Sequence, residues 1–123
     1  MATPNIVNVT TINGKNAMGA LSDTNRTTMI DVAADKLVKV NTIIIANIDG
    51  TNAADVTIEV SNDNGSTYFK LASTISVPAD SSLDFLSNPI YLDETDILAV
   101  TAGAANDLSY FVSYEELDDA YEV

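Results

Sequence analysis

The 123-residue chain is 46% hydrophobic and 19% charged, which suits one compact folded domain and excludes a wholly disordered polymer. Eighteen acidic against five basic residues give a formal charge of -13, so the average surface repels phosphate backbones and disfavours nucleic-acid binding. There is no cysteine and no histidine, which removes disulfides, thiolate metal sites, His-liganded zinc and the Ser-His-Asp and Cys-His catalytic arrangements.

The opening MATPNIVNVTTING has neither a basic nor a long apolar region, and no apolar run approaches the ~20 residues that span a bilayer, so neither secretion nor a membrane partner is expected. Asn5 to Ile12 is rich in Val, Ile and Thr and reads as a first strand closed by Asn13-Gly14. Lys15 to Thr28 is small and polar, with Gly19 and the Ser22-Asp23-Thr24-Asn25 cluster, and reads as an irregular connection or extended arm. Met29 to Val32 fits a short strand. Leu37 to Asn47 alternates at first and then becomes continuously apolar, as a strand does when it passes from half-exposed to fully buried.

Asp49-Gly50 opens a polar loop. Val56, Ile58 and Val60 then alternate with Thr57, Glu59 and Ser61, the two-residue period of a strand with one wet face. Asp63-Asn64-Gly65 supplies residues tolerant of positive φ, and Ser66 to Leu71 reads as the returning strand of a hairpin. Thr74 to Val77 ends at Pro78, which has no backbone donor. Ser81 to Leu86, Ile90 to Leu92, Ile97 to Thr101 and Leu108 to Tyr114 complete the strands, with Leu108, Tyr110, Val112 and Tyr114 sharing one face. Eight to ten short strands with frequent turns predict an all-β, antiparallel β-sandwich of jelly-roll type. The expected division is an N-terminal strand and extended arm over 1–28, a sandwich core over 29–115 and an acidic tail over 116–123. The alternative for the tail is that Leu117, Tyr121 and Val123 dock it on a neighbouring subunit.

Three constellations have chemistry to weigh. Asp93, Glu94 and Asp96 sit close enough to share a proton or hold a cation, but they fall in a loop between strands, where exposed carboxylates are common. Residues 47–55 offer oxygen ligands of the kind calcium accepts, without the EF-hand spacing, and Asp-Gly turn chemistry explains the same residues. Ser61-Asn62-Asp63-Asn64-Gly65-Ser66-Thr67-Tyr68 resembles the Asp-box hairpin S-x-D-x-G-x-T-W with tyrosine in place of tryptophan, and reads as turn architecture. No phosphate-binding glycine loop is present, so the expectation is no enzyme, no catalytic residue, no metal and no cofactor.

From Val56 onward the order is Val-Thr-Ile-Glu-Val, an Asn-Gly hairpin, Tyr68-Phe69-Lys70-Leu71, Val77-Pro78-Ala79, Ser82-Leu83-Asp84, Pro89-Ile90-Tyr91-Leu92, Asp96-Ile97-Leu98-Ala99-Val100-Thr101 and finally Val112-Ser113-Tyr114-Glu115. This resembles a group of small β-sandwich virion proteins of tailed bacteriophages; the likeness does not cover residues 1–30. The resemblance implies a capsid decoration or cement role on the head exterior of the virion, in a protein made in the host cytoplasm, with a neck, tail or fibre component as the alternative. It further implies the major capsid protein or other virion subunits as partners, and a homo-oligomer, with a trimer favoured. On that reading the arm would lie along neighbouring subunits, making Asn5, Ile6, Val7, Met18, Leu21 and Arg26 the partner-binding candidates. Two other classes remain open: a carbohydrate-binding module, for which the absence of Trp leaves few aromatic platforms, and an acidic-pair glycosidase, which needs a cleft hard to build from so short a chain.

Overall fold

A computed structural model describes the backbone of residues 9–119 and the side chains of 11–118. Nine strands are present among the described residues, and no helix: β1 (Val9–Leu21), β2 (Thr27–Asp31), β3 (Lys36–Asn47), β4 (Ala54–Ser61), β5 (Phe69–Val77), β6 (Ser82–Asp84), β7 (Ile90–Leu92), β8 (Ile97–Ala102) and β9 (Leu108–Asp119). They form two antiparallel sheets. The first has the order β1-β9-β3-β6, and β7 also pairs with β3. The second has the order β2-β8-β4-β5.

Both β6 and β7 lie on the side of β3 away from β9, β6 beside Ile44–Ala46 and β7 beside Val38–Val40. They are two pieces of one strand, interrupted around Asn88-Pro89, where proline cannot donate to a ladder. Counting them as one, the chain crosses between sheets at every connection except the β4–β5 hairpin. That is the doubly wound Greek-key order of a jelly roll.

The core lies between the sheets. Val40, Ile43, Ile45, Val56, Leu98, Val100 and Val112 are fully buried, and the alternation seen in β4 is what places Val56 and Ile58 inward and Thr57 and Glu59 outward. In β3 a register shift between Val40 and Thr42 re-phases the pleat, so Ile43 and Ile45 point inward and Ile44 sits half-buried on the outer face. The apolar run at its end is therefore not buried on both faces, as its sequence led one to expect.

Two stretches depart further from expectation. Residues 15–21, read as irregular, continue β1 and pair with β9 up to Leu21 beside Leu108. Residues 116–119, read as tail, continue β9. Tertiary packing overrides local composition in both cases. A Cβ added at Gly19 would lie 3.1 Å from the ring of Tyr110, its cross-strand partner, so the aromatic side chain fills the space over the glycine and protects an otherwise weak strand position. The start expected at Asn5, and the docking residues Tyr121 and Val123, lie outside the described residues.

Gly19→Val is accordingly expected to lower the unfolding free energy by about 1–3 kcal/mol through over-packing against Tyr110, seen as a lower urea midpoint. Gly14→Val, where an added Cβ meets nothing within 4 Å, is the control and is expected to leave the midpoint unchanged or raised.

Candidate interaction surface

The acidic turn between β7 and β8 brings Asp93, Glu94, Thr95 and Asp96 around an open hollow of about 560 Å³. Its carboxylates hold the turn together. Asp96 accepts the backbone N–H of Asp93 at 2.9 Å, Asp93 accepts that of Glu94 at 2.8 Å, and Glu94 accepts that of Asp35 at 2.9 Å. Burial pushes the Asp96 carboxyl above its ordinary value, against the lowering effect of that Asp93 N–H. In the loop after β3, the amide of buried Asn47 donates to the carbonyls of Asn52 and Val77, each at 2.9 Å, and its oxygen accepts from the Asp49 N–H. Asp49 in turn accepts the N–H groups of Thr51 and Asn52, which hold its carboxyl below the usual range. Among the described residues no group of three or more acidic side chains converges to hold a metal ion.

The Asp-box-like hairpin is built as its residues require. Ser61 donates to Asp63 at 2.8 Å and accepts from the Gly65 N–H at 2.8 Å, while Asp63 accepts from the Thr67 N–H at 2.8 Å. Gly65 has φ 93°, in the left-handed region that glycine tolerates. A Cβ added at Gly65 would meet Ile97 and the Tyr68 hydroxyl, each at 3.5 Å.

Beside that hairpin, Glu59 projects from β4 with its side chain only 5% exposed. Arg26 donates to it at 3.1 and 3.4 Å, Lys70 donates at 3.5 Å, and the Arg26 guanidinium stacks 3.8 Å above the Tyr68 ring. These bonds, led by that from Arg26, hold the Glu59 carboxyl below its ordinary value despite burial. The part of the second sheet's outer face around Glu59 is thus covered by its own polar network.

The apolar surface lies elsewhere. Ile12 and Met18 on β1 are 60% and 61% exposed, and Phe69, Leu71 and Ile75 on β5 are 61%, 52% and 40% exposed. Tyr91, on β7, is 53% exposed. β5 and β7 meet where the sandwich opens, and Val60, Phe69, Leu71, Ile90, Tyr91 and Leu92 line an apolar groove of about 330 Å³ between the two sheets. Met18 continues into an apolar row across the outer face of the first sheet, through Phe111 to Ile44.

Of the residues singled out from sequence, Met18 is open to a partner. Leu21 is core, because its strand phase turns it inward, and Arg26 is bound to Glu59 and stacked on Tyr68. Asn5, Ile6 and Val7 lie outside the described residues. The groove residues were missed: alternation identifies strands, but it does not say which strand stands at an edge. Absence of acid was the signal available, since residues 1–22 and β5 contain no Asp or Glu.

No family model matches the chain, and no curated protein matches it in sequence. Among solved structures, a Bacillus endospore-appendage protein, from a family described as disulfide-linked pili, matches over 88% of both chains with a TM-score of 0.52 at 17% identity. The likeness is one of fold, and this chain has no cysteine with which to form such links. A Drosophila NLP core described for pentamer formation and histone binding has a TM-score of 0.47 at 12% identity, covering 85% of this chain and 96% of that one. A pentameric capsid protein from metagenomic phage sequences has 0.45 at 18% identity, covering 88% of this chain and 65% of that one.

Two outcomes follow from the polar networks. Asp63→Ala is expected to lower the stability of the fold by removing the hairpin bonds to Ser61 and Thr67, seen as a lower midpoint in thermal or urea unfolding. Because the Glu59 carboxyl is lowered in the folded state, its contribution is present above the unfolded value near 4.5 and is lost as pH falls through the folded value. Glu59→Gln is therefore expected to flatten the decline of the urea midpoint in that acidic window, and an unchanged slope would show that other carboxylates govern it.

Proposed function

We propose that this chain is a non-enzymatic structural subunit of a tailed-bacteriophage virion, and within it a decoration protein that binds and stabilises the outer head surface. The observation that carries the reading is a jelly-roll sandwich whose exposed apolar side chains gather on strand edges while its outer polar network and acidic loops are bound up internally. Such a module presents apolar strips to protein neighbours, and has the carboxylates of Asp49, Asp63, Asp93, Glu94 and Asp96 engaged in its loops and turns. The segments that resemble small virion proteins fall on β4, the β4–β5 hairpin, β6, β7, β8 and β9, the elements that build the sandwich. Its -13 charge suits the outside of a shell better than contact with packaged genome.

The partner on this reading is the major capsid subunit, and a trimer at a local three-fold axis is the arrangement by which one assembly bridges several shell subunits. A neck, tail or fibre position is the second reading, supported by the same exposed edges. A glycan-binding role would have to use Tyr91 together with Phe69 in the groove, because Tyr68 is covered by Arg26.

Co-expression with the major capsid subunit of the same genome, followed by gradient sedimentation, tests the proposal. The chain is expected to travel with assembled shells and to raise their melting temperature. Sedimentation with tail or neck assemblies instead would move it to the second reading, and glycan-array binding lost on Tyr91→Ala would overturn both.

A further inference from the structure

We propose that the chain assembles head to tail with copies of itself, the β1 edge of one copy seated on the β5–β7 rim of the next, in an assembly of at least three copies. This does not depend on the virion reading.

Four edges are open to consider, and they differ in charge and apolarity. β2 carries Asp31 and β6 carries Asp84. β1, β5 and the β7 piece of the β6–β7 edge carry no carboxylate, in a chain with eighteen. Of the seven large apolar side chains exposed among the described residues, two are on β1, three on β5 and one on β7. A second copy with charge -13 is repelled by most of this surface, so the acid-free edges are where like copies approach without bringing carboxylates together.

The form of β1 supports the same partner. It is a 13-residue edge strand, and among the described residues nothing pairs with its outer side. Protected edges are short, charged or broken by proline, whereas β1 has a single charge, Lys15, no proline, and a register shift only near its start, between Val9 and Thr11. β5 is less regular, with register shifts in its pairing to β4 and Thr74 at φ 46°. On that side the apolar groove takes the joint, with room for a side chain such as Met18 between Phe69, Leu71 and Tyr91.

Position fixes the polarity. β1 lies over β2 at one side of the sandwich, and β5 faces β7 at the other. A two-fold pairing of β1 with β1 leaves every β5 rim uncovered. One heterologous joint repeated around an axis covers both edges of every copy, and because those edges lie on opposite sides it cannot close with two copies.

Light scattering on the purified chain tests this, with Met18→Glu to block β1 and Leu71→Glu to block the rim, both at exposed positions. The wild type is expected at 39 kDa or more, three times the 13.0 kDa chain mass. Each variant alone is expected at 13.0 kDa, and the two mixed at 26 kDa, because each retains the edge the other lacks. A monomeric or dimeric wild type overturns the proposal, as does a Leu71→Glu variant that still dimerises through β1. Should either variant lose the β-type circular dichroism of the wild type, hydrogen exchange on the wild type decides. Protection of β1 and β5 is expected to rise with protein concentration while that of β2 stays constant, and concentration-independent exchange at β1 overturns it.

Discussion

The architecture depends on β9 lying between β1 and β3. The last long strand of the chain thereby closes a sheet whose other long members come from the first half, through two ladders of long sequence separation. Its alternation does the rest: Leu108 and Val112 go to the core while Phe111 goes to the outer face. The same strand carries Glu116 and Asp118, which pair with Lys15 of β1 and Lys36 of β3 and bind the far end of the sheet by charge where the apolar core has run out. These pairs are partly exposed, so they help fix register more than they add stability.

A second constraint is the shortage of cations. With five basic residues against eighteen acidic ones, the positions of the cations matter. Arg26 and Lys70 are gathered on Glu59, the most buried carboxylate described, where an isolated charge would be costly. Most other acids are spread over loops or stabilised locally by backbone N–H groups, as Asp49 and Asp63 are. The result is an exterior with a large excess of acid, in which β1, β5 and β7 carry none. Solubility and association are thereby assigned to different parts of one small surface.

What the sequence by itself determined is whatever depends on neighbours a few residues apart. The alternation of Val56, Ile58 and Val60 against Thr57, Glu59 and Ser61 was enough to define β4 and its buried face, because the pleat has period two. Asn64-Gly65 was enough for the hairpin, because its φ angles are positive, and the Ser61–Asp63 turn chemistry is complete within eight residues. The all-β class and jelly-roll type followed from many such short signals.

Only the tertiary structure decided what depends on strands brought together from afar. Lys15–Leu21 looked irregular because Gly19 is a poor strand former alone; it becomes strand because Tyr110, far along the chain, lies over it. Leu21 looked available and is core, while Arg26 serves Glu59 with its side chain still 46% exposed. The groove joins Phe69 and Leu71 of one sheet to Ile90 and Tyr91 of the other. Edge position is a property of sheet order, and sheet order is set by packing two apolar faces against each other, which no local pattern encodes.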